Sequence, residues 1–214
     1  ASLRSSIVSH AKTLGYVPSS ARAAKATVDV TLNTTDSTAT MPAGTVFNTT
    51  VDDTTFQFST IESFTKSNTG NSIPFVGVDI YEGTFITTRY TVDSSDIDQR
   101  FLLTDNRADT STLIVKVQTS STDSTSTTFT EATDITQVTS GSNVFFLQEV
   151  EAGLFEVYFG DGVIGTALSD DNIIILTYVV SNKSAANGAS IFTNVASIAS
   201  VTDISVATAA TASA

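Results

Sequence analysis

Cysteine and tryptophan are absent from this chain, and methionine and histidine occur once each, as Met41 and His10. Without cysteine there is no disulfide framework and no thiolate metal ligand. With one histidine, a His-based zinc site and a Cys–His nucleophile pair are excluded within the chain, and a Ser-His-Asp triad would have to run through His10. Positive charge is also scarce: ten Lys and Arg face 22 Asp and Glu, a net charge of −12. The basic residues are scattered, so the clustered cations that grip a phosphate backbone are missing and nucleic acid is not an expected partner. Long apolar runs are missing as well. The longest, Ile173 to Val180, is far short of the roughly 20 residues that span a bilayer, and no signal peptide is visible, so a soluble chain with no membrane partner is expected. The chain does not open on Met, and it reads as a piece of a longer polypeptide.

What takes the place of charge is Ser, Thr and Asn. Charged residues are 15% of the 214, against about 25% in ordinary domains. Thr is β-branched and packs well on a pleated surface, so this composition suits strands. The patterning agrees. Ala26, Val28, Val30 and Leu32 alternate with Thr27, Asp29 and Thr31, the period-two signature of a half-buried strand. Strands are expected over 45–51 and 55–64, with Asp52-Asp53 as the turn between them. A further stretch, 74–92, breaks at Glu82-Gly83, and strands follow at 101–103, 112–118, 143–149, 154–159 and 172–180. The 143–149 and 154–159 segments form a hairpin around Glu151-Ala-Gly153, and 172–180, the most hydrophobic, is central. The Ser/Thr tract 119–128 is either a long loop or a solvent-facing strand. Only residues 2–14 carry helical spacing, with Leu3, Ile7, Ala11 and Leu14 on one face, Ser2 as N-cap and Gly15 as the stop.

Short strands with turns every 8 to 12 residues predict a mainly β chain: a short N-terminal helix, then one or two antiparallel sandwich- or barrel-like domains. The expected divisions are 1–23 for the helix and linker, 24–98 and 99–190 for two β-domains, and 191–214 for a C-terminal segment. In that last segment the pattern fades into Ala, Ser and Thr, and packing is expected only within a longer chain.

The sharpest motif is Gly160-Asp161-Gly162-Val163-Ile164-Gly165, which has the spacing of the dinucleotide fingerprint G-x-G-x-x-G. That fingerprint works by opening a helix whose N-terminus holds a pyrophosphate. Here Thr166 to Asn172 leads straight into another strand, so Gly160, Asp161, Gly162 and Gly165 are read as a structural turn in a β-hairpin, with no cofactor. Ser9-x-x-Lys12 fits the S-x-x-K spacing of serine acyl enzymes without the K-T-G element that accompanies it. Asp93, Asp96, Asp98, Asp170 and Asp171 could offer oxygens to calcium, but neither stretch fits an EF-hand loop, and they are read as solvated turn residues. Asn33, Asn48 and Asn182 head N-x-S/T sequons, which arise by chance in so Thr-rich a chain. No catalytic residue and no metal ligand is assigned.

Three stretches taken in order resemble a known family. The first runs from Leu3 to Val28 and includes His10-Ala11, Gly15-Tyr16 and Pro18. The second is Pro42-Ala-Gly-Thr-Val-Phe47. The third is Phe155-Glu-Val-Tyr-Phe-Gly-Asp-Gly-Val-Ile-Gly165, followed by Ile173-Ile-Ile-Leu-Thr-Tyr178 and Ala186-Asn-Gly188. This order resembles the baseplate wedge proteins of T-even-like contractile-tailed bacteriophages and the related baseplate-J-like proteins. The resemblance implies a structural, non-catalytic virion component of the tail baseplate, assembled in the host cytoplasm. It also implies contacts with other wedge and hub proteins and with further copies of itself. The rival reading is a secreted bacterial adhesin or carbohydrate-binding β-sandwich module.

Overall fold

The computed structural model describes residues 20–214, and the helix expected over 2–14 lies outside them, as do Ser9, His10 and Lys12. The described chain is mainly β. In chain order its strands are β1 (Lys25–Asn33), β2 (Thr38–Met41), β3 (Val46–Val51), β4 (Thr54–Ser59), β5 (Phe64–Ser67), β6 (Ser72–Glu82) and β7 (Thr84–Thr91). They continue with β8 (Phe101–Leu103), β9 (Ala108–Gln118), β10 (Thr127–Glu131), β11 (Val144–Glu149), β12 (Phe155–Phe159), β13 (Ile173–Val180), β14 (Thr193–Asn194) and β15 (Ile204–Ser213). Three short 3-10 turns, Ile135–Gln137, Glu151–Gly153 and Lys183–Ala186, are the helical elements among the described residues.

Two compact units result. One comprises residues 21–86, 109–112 and 179–214, and the other 87–108 and 113–178. The boundary expected between 98 and 99 lies inside the second unit, and 191–214 belongs to the first.

The first unit is built on a six-stranded sheet in the order β14-β3-β4-β6-β1-β15, with β2 and β5 as a separate two-stranded sheet. All its strand pairs are antiparallel. The alternation in β1 does what it predicts: Ala26, Val28, Val30 and Leu32 are buried. They meet Phe47, Phe58, Phe75, Ile73 and Ile80 in one core. Each large side chain removed from water there contributes about 1.5–3 kcal/mol. The break expected at Glu82-Gly83 separates β6 from β7. A Cβ on Gly83, whose φ is +125°, would lie 2.2 Å from the Val180 carbonyl oxygen, so only glycine fits.

The C-terminal segment differs from expectation. Far from fading out, residues 204–213 form β15, paired antiparallel along β1 from Leu32↔Ile204 to Lys25↔Ser213. Its inward residues are few because it is a terminal strand over a core largely filled by its neighbours. Only Ala212 is fully buried, while Ile204 and Val206 pack at the core margin. A strand that needs so little apolar surface leaves almost no period-two signal.

The second unit is built on a seven-stranded sheet in the order β7-β13-β9-β10-β11-β12-β8. The β11–β12 hairpin forms as expected, Phe145↔Phe159 to Glu149↔Phe155, around the Glu151–Gly153 turn. β13 is an interior strand between β7 and β9. β10 and β11 pair in parallel, whereas β9–β10, β11–β12 and β12–β8 pair antiparallel. The Ser/Thr tract is a loop as far as Ser126 and then becomes β10. The two end strands of the sheet approach each other: the Tyr90 hydroxyl donates to the Leu102 carbonyl at 2.7 Å, and the Tyr90 and Phe101 rings meet edge to face at 5.6 Å. The sheet is therefore nearly closed, in a barrel-like form.

Candidate functional site

The fingerprint-like glycines sit in the connection from β12 to β13, strands that do not pair with each other. The hairpin expected there is instead a self-contained loop. Gly160 makes a parallel bridge to Ala167, the Gly162 N–H donates to the Gly165 carbonyl at 3.1 Å, and one Asp161 carboxylate oxygen accepts the Val163 and Ile164 N–H groups, each at 2.9 Å. Those N–H groups, Ile164 first, hold the Asp161 carboxyl below its ordinary pKa. Gly162 and Gly165 have φ of +86° and +84°. Gly160 is required for a different reason: a Cβ there would fall 2.3 Å from the Gly165 carbonyl carbon. The loop is tied to the β10–β11 connection by Gly165 N–H to Thr139 O and Thr166 N–H to Ser142 O. Loop closure uses the N–H groups of Gly162, Val163, Ile164 and Gly165 internally or on Thr139. A phosphate cradle would need such groups free, and a helix after them, whereas β13 is the next element. Beside the exposed Asp161, the loop presents two apolar side chains to solvent: Val163 is 73% and Ile164 41% exposed.

The acidic stretches have a local explanation. Asp93, Asp109, Asp123 and Asp134 each use one carboxylate oxygen to accept both the backbone N–H and the hydroxyl of the Ser or Thr two residues on. These bonds hold Asp93, Asp123 and Asp134 below the usual carboxylate range. Asp96 accepts from the Asp98 N–H, and Asp170 from the Ser94 N–H and hydroxyl, which joins the two acidic stretches through Ser94. Among the described residues, no three Asp, Glu or His side chains converge in a way that could hold a metal ion. The sequon asparagines hold structure together: Asn33 donates to Asp203, and Asn182 donates through both its backbone and its side chain to Glu82.

Sequence reasoning passed over the polar groups that tertiary structure buries. Glu82 is 1% exposed and takes its two partners from Asn182, a hundred residues away. Asp109 also accepts the Ala23 N–H at 2.7 Å. In the second unit, Arg100 Nε donates to buried Glu156 at 3.0 Å, and the Tyr158 hydroxyl donates to the same oxygen at 3.0 Å. Arg100 is the main reason that the Glu156 carboxyl is held low, and burial pushes the Tyr158 phenol up. The one local signal was Glu156 and Tyr158 on the same face of a strand, two residues apart. Arg100 comes from 56 residues away.

No protein-family model matches the chain, and no curated protein matches it in sequence.

Proposed function

We propose that this chain is a structural component of a contractile-tail baseplate wedge, a non-catalytic β module that builds a ring around the tail hub through contacts with other wedge proteins and with further copies of itself. The observation that carries the reading is the ordered set of motifs from Leu3 to Gly188, with the Phe155–Gly165 stretch at its centre. The architecture fits the role. In this reading each unit is a mainly antiparallel, barrel-like β-domain and works as a rigid spacer. Its strongest motif is a locked loop that projects two apolar side chains rather than a cradle for a small molecule. A surface rich in Ser, Thr and Ala favours assembly, because such groups are less costly to desolvate than Lys and Glu. The net charge of −12 discourages indiscriminate self-association, so stable assembly should need specific partners.

The test is co-expression with tail and baseplate proteins from the same genome, followed by size-exclusion chromatography and electron microscopy. The chain alone should run as a monomer or weak oligomer and enter a ring-forming particle only with its partners. If it joins no tail protein and instead binds saturably to a glycan array, the adhesin reading replaces this one.

A further inference from the structure

Asn187 and Gly188 are the one Asn-Gly pair in the sequence. They follow the short turn Lys183–Ala186, and both are exposed. The residues on either side are not: Ala186 and Ala189 are buried in the core of the first unit. The pair is a surface link between two core anchors, and the end of β15 holds it in place. The Gly188 N–H donates to the Ala212 carbonyl at 2.8 Å, and the Ala212 N–H donates to the Ala189 carbonyl at 2.9 Å.

We propose that Asn187-Gly188 is a deamidation site that β15 holds unreactive, and that its conversion to isoaspartate releases the end of that strand.

The reaction needs only the pair itself and water. The Gly188 nitrogen attacks the Asn187 side-chain amide carbon. A C–N bond forms and closes a succinimide ring. The bond to the side-chain nitrogen breaks, and that nitrogen leaves as ammonia with the proton that Gly188 gives up. Water then opens the ring at one carbonyl to give aspartate, or at the other to give isoaspartate. Glycine is the follower that obstructs the attack least. A Cβ built at Gly188 would meet nothing within 4 Å, so the surroundings leave room as well.

Two features of the fold oppose ring closure. The Gly188 nitrogen must lose its proton, and that proton is committed to the Ala212 carbonyl. The ring also closes only when the Gly188 nitrogen swings toward the plane that holds the Asn187 Cβ, whereas an Asn187 ψ of 140° turns it well out of that plane. Rotation of Asn187 breaks the Gly188–Ala212 bond, so both obstacles fall together when the end of β15 lifts away. Few apolar contacts resist that motion, since Ala212 is the one fully buried residue of β15. The outcome is one-way. Isoaspartate adds a methylene to the main chain between two buried anchors, so Gly188 and Ala189 cannot both regain their bonds to Ala212. Asp161-Gly162 could close the same ring, but its lock is local. Gly162 bonds Gly165, and the Asp161 carboxylate accepts from Val163 and Ile164, so no strand release frees it. The proposal does not depend on the baseplate reading.

The test ages the full chain in mildly alkaline buffer and follows Asn187 by peptide mass spectrometry, with isoaspartate identified by fragmentation. A synthetic peptide of residues 183–190 supplies the rate without the strand. Conversion in the full chain should be at least about tenfold slower than in the peptide. It should rise in step with Gly188 amide exchange as urea is added below the unfolding transition. Ala212→Asp places a charge at a buried position, lifts the strand end and should bring the rate toward that of the peptide. Converted chain, separated by ion exchange, should exchange its Gly188 and Ala212 amides faster than fresh chain. Asn187→Gln, which would need a larger and slower-forming ring, should age without that change. Equal rates in chain and peptide overturn the proposal, as does an Asn187 that stays intact when urea frees the Gly188 amide. Converted chain with undiminished protection at Gly188 and Ala212 also overturns it. If Ala212→Asp costs β1 its protection too, the urea series on the unaltered chain decides.

Discussion

At the scale of single residues, the chain solves its turns with one repeated device. An Asp two positions before a Ser or Thr captures that residue's N–H and hydroxyl together, as at Asp93, Asp109, Asp123 and Asp134. The Ser, Thr and Asp excess therefore has a mechanical use, since these side chains bond their own backbone where strands end. Glycine carries the tightest loop. Gly160→Ala should destabilise by clearly more than 1 kcal/mol, because its Cβ would overlap the Gly165 backbone. Gly162→Ala meets nothing closer than 3.7 Å and should cost only the left-handed strain, about 1 kcal/mol. Chemical denaturation of the two variants should rank them in that order, and equal losses would mean that the loop does not close on itself. The buried Glu156 gives the chain an acid sensitivity. Its carboxyl is held low by Arg100, so its contribution to stability is fully present above the unfolded-state value of about 4.3. That contribution is lost as pH falls through the folded-state value. Melting curves should drop on this acid limb, and Glu156→Gln should be less stable near neutrality and show a shallower drop.

At the scale of elements, the alternation that defines β1 is also what makes β15 necessary. β1 buries Val28, Val30 and Leu32 on one face, and along its edge it is flanked by β6 on one side and β15 on the other. Deleting residues 203–214 strips that edge and exposes the β1 backbone from Leu32 back to Lys25. Amide exchange should then accelerate through β1 and β6, and the truncated chain should aggregate through its new edge. If β1 keeps its protection, β15 is an accessory strand. The β11–β12 hairpin behaves differently, because its pairing is local and its turn, with Ala152 and Gly153 both at positive φ, is written into adjacent residues.

At the scale of the whole molecule, the acidic excess is distributed among turns and ion pairs. Lys25 meets Asp79 at 2.8 Å, and Arg107 meets Asp105 at 3.0 Å. Because the turn aspartates already accept local N–H groups, chelation should leave stability untouched. The melting temperature is expected to be the same with and without EDTA, whereas a fall of several degrees reversed by calcium would reveal a bound ion.

The sequence alone determined the β character of this chain, the burial of Ala26, Val28, Val30 and Leu32, the Glu82-Gly83 break and the 143–159 hairpin. Each of these is set by residues within about a dozen positions of one another, through period-two alternation and glycine turns. Tertiary structure alone decided the rest. The role of β15 depends on a partner strand 171 residues or more away in sequence, and it could stay Ala- and Thr-rich because other strands had already filled the core. The Gly160–Gly165 segment became a loop closed on the β10–β11 connection because β12 took β11 and β8 as neighbours and left β13 to pair elsewhere. The burial of Glu82 and Glu156 follows from sheet order. Short-range pattern does not encode that order, since it is settled by which edges meet when the sheets curl.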